Sequence, residues 1–156
     1  MPTTYAIPDG RTVMAATTYT GNGSTQSIAN TVNGVSFKPD LVWAKQRNGT
    51  NYHALYDSVR GATKDLQSNT TTAEQTFATG LTSFDTGGFT SGSNTDTNQS
   101  GQSFVAWQWQ AGQGTTSSNT SDSNTSTVSV NATAGFSVVT YTANNTAGAT
   151  VGHGLG

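Results

Sequence analysis

Residues 103–109 read Ser-Phe-Val-Ala-Trp-Gln-Trp, and this stretch limits the fold more than any other. Successive side chains of an extended strand point to opposite faces, so Val105, Trp107 and Trp109 share one face while Phe104 and Ala106 share the other. That is the pattern of a central strand in a sandwich, apolar on both sides. Leu41-Val42-Trp43-Ala44-Lys45 repeats it, with Leu41 and Trp43 on one face and Val42 and Ala44 on the other, and both faces read as covered. The expected fold is all-β, an antiparallel β-sandwich of jelly-roll or lectin-like form.

Composition agrees. The chain is 32% hydrophobic and 9% charged, with Thr, Ser, Asn and Gly making up most of the difference. Disordered chains carry high net charge and few aromatics; this one has a net charge of -2 with three Trp, five Tyr and six Phe. Aromatics with Thr and Gly suit short twisted strands joined by tight turns. Further strands are expected at Thr17-Thr18-Tyr19-Thr20, at His53 to Asp57, and at Val128-Ser129-Val130 and Phe136 to Tyr141, where the strand pattern resumes across Ala134-Gly135. Leu81 to Phe84 and Phe89-Thr90 read as a hairpin across Gly87-Gly88, and Asn33-Gly34 as a tight turn. Val59, Ala62 and Leu66 suit one helical turn, although Gly61 interrupts it.

Residues 1–13, with Pro2 and the turn Pro8-Asp9-Gly10, read as an extended N-terminal arm, and 14–111 as the sandwich domain. Residues 112–127 are almost wholly Gly, Ser, Thr and Asn, the composition of a linker or long surface loop. Residues 128–156 read as the start of a second, incomplete β-repeat. The basis is an echo: Thr18-Tyr19-Thr20-Gly21-Asn22-Gly23-Ser24 returns as Thr140-Tyr141-Thr142-Ala143-Asn144-Asn145-Thr146, a spacing of about 120 residues. A second repeat cut short implies a longer natural protein.

The exclusions are broad. Six basic residues lie scattered between Arg11 and Lys64, without the concentrated positive face that phosphates or an anionic membrane require. No apolar run approaches the length of a membrane span, and no signal peptide is visible. Cysteine is absent, so disulfides and thiolate metal sites are too. The acids Asp40, Asp57, Asp65, Glu74, Asp85 and Asp96 fall in no recognisable catalytic pair. His53 reads as a strand-edge residue and His153 as part of a glycine turn, and no nucleophile elbow is present. Asn94-Thr95-Asp96-Thr97-Asn98 begins like a calcium loop, but Gln99 and Val105 stand where Gly and Glu are required, which leaves a polar hairpin loop. The chain is therefore expected to be non-enzymatic, with no catalytic, cofactor-binding or metal site. Trp43, Trp107 and Trp109 could stack on sugar rings, but Trp in a strong strand more often belongs to the core. Trp109, at a strand end, is the one expected at the surface. With Tyr52 it makes the candidate glycan contact.

Tyr19-Thr20-Gly21-Asn22-Gly23-Ser24, Phe37-Lys38-Pro39-Asp40-Leu41-Val42-Trp43, Asp57-Ser58-Val59-Arg60-Gly61-Ala62-Thr63-Lys64, Gly88-Phe89 and Phe104-Val105-Ala106-Trp107 occur in this order. Gly135-Phe136-Ser137-Val138-Val139-Thr140-Tyr141 and Gly152-His153-Gly154-Leu155-Gly156 complete the set. From about Thr12 onward the chain resembles the tandem β-domain repeat of unknown function in tail-fibre-like virion proteins of aquatic phages, cyanophages among them. The resemblance implies a virion location after assembly in the host cytoplasm, with other virion proteins as partners and a host surface glycan as a candidate ligand. It supplies no catalytic residues. It points to a tail or appendage fibre, with a carbohydrate-binding module of a depolymerase and a head decoration protein as the alternatives. Few large aliphatics and open strand edges, together with the resemblance, imply a homo-oligomer, trimer ahead of dimer. The arm Met1 to Val13 and the segment Thr127 to Gly156 are expected to contact neighbouring subunits.

Overall fold

The computed structural model describes residues 6–156. The first five residues of the expected arm lie outside the described residues. The rest of the arm is not simply extended: Asp9 accepts the Arg11 amide and caps a short 3-10 turn, Gly10–Thr12. Its end already belongs to the sheet, because Gln110 N–H donates to the Val13 carbonyl.

Twelve strands follow among the described residues: β1 (Met14–Thr20), β2 (Gln26–Ala29), β3 (Leu41–Gln46), β4 (Ala54–Asp57), β5 (Lys64–Gln67), β6 (Gln75–Thr76), β7 (Leu81–Asp85), β8 (Gly88–Ser91), β9 (Ser103–Trp109), β10 (Ser117–Asn119), β11 (Ser126–Asn131) and β12 (Phe136–Tyr141). A six-stranded antiparallel sheet runs in the order β1-β9-β3-β4-β5-β6, with the expected strong strands β9 and β3 at its centre. A three-stranded sheet, β2-β8-β7, supplies the opposing layer, and the expected hairpin across Gly87 is β7–β8. The all-β sandwich is the observed fold.

The core lies between these two sheets. Val42, Ala54, Tyr56 and Ala106 of the large sheet meet Ile28, Leu81 and Phe89 of the small one. Phe104 is fully buried and stacks on Tyr19 with ring centroids 5.3 Å apart. Each fully buried Phe or Leu contributes about 1.5–3 kcal/mol over an exposed one. Several buried polar groups on this face are linked in a chain. Asn30 Nδ2 donates to the Phe37 carbonyl and to Gln108 Oε1, and Gln108 Nε2 donates to Thr17 Oγ1. Gly88 sits where β8 pairs with the end of β2, at φ 144°, and a Cβ there would collide with the Ile28 carbonyl. Only glycine combines that backbone angle with that approach.

Three expectations of local structure need correction. Residues 58–66 form no helical turn. Asp57 Oδ1 takes the amides of Val59 and Arg60 instead, Thr63 and Gly61 adopt positive φ, and the chain turns directly into β5. The polar stretch Asn94–Asn98 is not a hairpin loop but contains a single helical turn, α1 (Thr95–Asn98), capped by Asn94. The buried Asn98 side chain then ties the Gly21–Ser24 turn to Gly92. Residues 112–127, expected as linker or loop, contain β10.

β10, β11 and β12 form a third sheet, antiparallel throughout. It is anchored to the sandwich by Asp40, which is fully buried at the entrance to β3. Its carboxylate accepts from the amides of Ala111 (2.6 Å), Gln113 (2.7 Å) and Gly114 (2.7 Å) and from the hydroxyls of Ser58 (2.6 Å) and Ser129 (3.2 Å). Asn131 Nδ2 also donates to Gln110 Oε1. The C-terminal segment crosses this sheet, with Val151 bridged to Asn124 and Ser126 Oγ donating to the Gly152 carbonyl. The two echoed segments thus occupy different sheets, the first in β1 beside β9 and the second in β12 beside β11.

Candidate functional site

Alternation along β9 gives the large sheet two unlike faces. Phe104, Ala106 and Gln108 point inward and are fully buried, whereas Val105, Trp107 and Trp109 point outward and are half-buried. β3 divides in the same way, with Val42, Ala44 and Gln46 inward and Leu41, Trp43 and Lys45 outward. The expectation that both faces are covered is therefore corrected: β2-β8-β7 lies over one face only. Trp43 and Trp107 belong to the outer face and not to the core.

Strand register arranges the outer face in rows. Leu66, Leu55, Trp43, Trp107 and Ala16 lie across β5, β4, β3, β9 and β1. Leu41, Trp109 and Met14 form the next row. Met14 is 39% exposed and Leu66 38% exposed. The aromatic centre is held rigidly. Trp43 and Trp107 meet with centroids 5.4 Å apart at 54°. Trp43 Nε1 donates to His53 Nδ1 at 3.0 Å, so the imidazole accepts there and its ring fixes the indole orientation. Burial, and secondarily the Lys45 charge, lowers the His53 pKa and favours the neutral ring that this bond requires. Lys45 itself turns toward the loop beyond β3, donating to the carbonyls of Gln46 and Gly49.

The two residues expected to contact glycan fall at separate places. Trp109 is half-buried beneath Phe136 of β12, centroids 6.2 Å apart and nearly parallel. Tyr52 is exposed, but continuing the β3–β4 register sets it opposite Gln46, while Trp109 pairs with Leu41 at the other end of β3. Five residues of strand, roughly 17 Å, separate those positions. Sequence reasoning missed His53 and Phe136, the partners that fix Trp43 and Trp109. The parity of His53 with Leu55 on β4 was the available signal.

The acids carry structural work. Asp57 is paired with Arg60, whose Nη1 also reaches Glu74, and Asp85 accepts from Ser83 and Thr90. His153 Nδ1 accepts the Leu155 amide inside its own turn. Among the described residues no cluster of three or more His, Cys, Asp or Glu side chains is placed to hold a metal ion. No helix among them is long and apolar enough to cross a membrane.

Fold and face together define an all-β sandwich module with a rigid aromatic surface on an open sheet face. The chain belongs to a family described as a domain of unknown function (DUF7483), whose model matches residues 9–156. That match takes in both echoed segments and all three sheets in one stretch. No curated protein matches the chain, and no solved structure does.

Proposed function

We propose that this domain is a non-enzymatic structural component of a phage virion, part of a tail or appendage fibre, with a role in host adhesion. The observation that carries this reading is the outer face itself. Trp43, fixed by His53, and Trp107 packed against it lie half-buried on the outer face of an otherwise polar, weakly charged module, which suits contact with a surface better than chemistry. Indole faces pack against the apolar faces of sugar rings, so a host surface glycan is the proposed ligand. The resemblance of the ordered motifs to phage tandem β-domains supports the virion setting.

Association with other copies or virion proteins is part of the proposal, with a homotrimer as the favoured assembly. β1 is the support. Val13 and Gly21 bond to Gln110 and Gln102, the residues flanking β9, so alternation turns the amides and carbonyls of Met14, Ala16, Thr18 and Thr20 away from it. Among the described residues only the Thr20 carbonyl of that row finds a partner, Gln26 Nε2. A seven-residue edge strand with neither charge nor proline is a template for pairing. The aromatic face equally suits a carbohydrate-binding module of a depolymerase.

Antibody labelling of particles imaged by electron microscopy tests the virion setting, and label confined to tail or appendage fibres is the expected result. Binding of the purified domain to host cells, lost in Trp107→Ala while the fold is retained, tests the face. Unlabelled particles, or binding indifferent to Trp107, would refute the reading.

A further inference from the structure

The Gly152-His153-Gly154-Leu155-Gly156 motif has no part in the aromatic face, and the third sheet gives it a place of its own. The C-terminal segment is drawn onto this sheet where β11 begins. Asn124 N–H donates to the Thr150 carbonyl, and Ser126 Oγ donates to that of Gly152 at 2.8 Å. The glycines on either side of His153 allow so close an approach. A Cβ on Gly152 would run into the Asn119 side chain, and one on Gly154, at φ 72°, would meet Val130 Cγ2. His153 is thereby held exposed at an open cavity of about 260 Å³. Asn119, Ser121 and Asp122 line this cavity together with His153 and the glycines of the motif.

Three polar side chains there share one arrangement. Each is fixed through one atom by a bond within the protein, while its other polar atom has no protein partner among the described residues. Asn119 Oδ1 accepts from the Ser121 amide (3.0 Å) and hydroxyl (2.6 Å), which leaves Nδ2 to donate. Asp122 Oδ1 accepts from Thr150 Oγ1 at 2.9 Å, which leaves Oδ2 to accept. His153 Nδ1 accepts the Leu155 amide at 3.1 Å, so the ring proton sits on Nε2 and donates. Groups oriented in advance lose little freedom when a ligand arrives. The set also selects the ligand. The Asp122 charge opposes an anion, and the donors of Asn119 and His153 oppose a cation. Adjacent neutral hydroxyls, each able to donate and to accept, satisfy all three. The volume falls below the roughly 300–1,000 Å³ of sites for drug-sized ligands and suits a single sugar ring.

We propose that this cavity binds one residue of a neutral glycan, with Asp122 Oδ2 accepting from a sugar hydroxyl and Asn119 Nδ2 and His153 Nε2 donating to sugar oxygens. The site belongs to the third sheet and the C-terminal segment, not to the Trp43–Trp107 face. That its natural ligand is a host surface glycan rests on the adhesion reading; the sugar chemistry of the cavity does not.

The test titrates the full chain with the methyl glycosides of glucose, galactose, mannose and N-acetylglucosamine and follows the histidine ring signals by NMR. The chain has two histidines, so His153→Gln assigns them. At least one glycoside should shift the His153 ring saturably. Asp122→Asn, at an exposed position, should stay folded and weaken that response about tenfold. Asn119→Asp keeps the oxygen that Ser121 bonds and replaces the donor with an acceptor, and should weaken it as well. No saturable shift of His153 with any of the four would overturn the proposal, as would a response unchanged in both variants. A saturable response to inorganic phosphate that strengthens in Asp122→Asn would overturn it in favour of an anion site. The adhesion reading fails separately: particles without label on their fibres would refute that reading and leave the glycoside response standing. Host-cell binding lost in Trp107→Ala, with no shift of His153, would refute this site alone.

Discussion

Asp40 offers the sharpest test of how the third sheet is held. Its Oδ2 accepts from the amides of Ala111 and Gln113, while Oδ1 accepts from the Gly114 amide and from Ser58 and Ser129. In Asp40→Asn the amide nitrogen must replace one oxygen. Placed at Oδ2 it faces two backbone donors that cannot reverse. Placed at Oδ1 it faces one such donor and two hydroxyls that can rotate to accept. The second orientation is cheaper and strands a single buried N–H, costing about 1–3 kcal/mol. The surviving bonds also lose their charge assistance, and relief of carboxylate desolvation offsets part of that. A net loss of about 3 kcal/mol is expected for Asp40→Asn, and about 5 kcal/mol for Asp40→Ala, which strands all five donors. Chemical denaturation gives the magnitudes and hydrogen exchange gives the place: β10 to β12 should exchange faster while β3 and β9 keep their protection. Asp40→Asn within about 0.5 kcal/mol of the parent would refute the reasoning, as would protection lost evenly throughout the chain.

Other outcomes follow from the same structure. Phe104→Ala opens an enclosed cavity and should cost about 3–5 kcal/mol in equilibrium unfolding, whereas Trp107→Ala, on the open face, should cost about 1–3 kcal/mol. His53 binds its proton less readily folded than unfolded, so its contribution is present above the ordinary pKa of 6.5 and lost as pH falls through the lower folded value. Acidification should thus shift Trp43 emission and lower the melting temperature, an effect that His53→Asn flattens. Gly88→Ala forces both a positive φ and a clash with the Ile28 carbonyl, and should cost more than about 2 kcal/mol by thermal melting. Thr18→Lys places a charge on the open edge of β1 and should abolish the proposed self-association in sedimentation while leaving the secondary structure unchanged.

The class of fold was legible because the evidence for it is local. Phe104 to Trp109 alternate whatever surrounds them, Gly87-Gly88 turns a hairpin on its own, and Ala134-Gly135 does the same between β11 and β12. Two of the errors fall where polar side chains bond over long sequence separations. Asn98 closes a helical turn onto residues 76 positions away, and Asp40 captures amides more than 70 positions on, turning an expected linker into an anchored segment. Ser, Asn and Asp can bond in many geometries, so composition alone reads such stretches as loop.

The candidate face was hidden for a different reason. Period-two alternation assigns Trp43 and Trp107 to one side and Val42 and Ala106 to the other, but it does not say which side receives a second layer. On bulk alone the indoles have the stronger claim to burial. Side-chain size at Gly88 and position at Asn30 decide otherwise: Gly88 lets β8 close on β2, and Asn30 ties the end of β2 to Gln108 on the Phe104 side of β9. The smaller side chains then become the core, and the largest remain on a face stiffened by one another and by His53. Rigid aromatic area left open in this way loses little conformational entropy on binding. That makes the Trp43–Trp107 pair, rather than Trp109 beneath Phe136, the place where a ligand gains most from the fold.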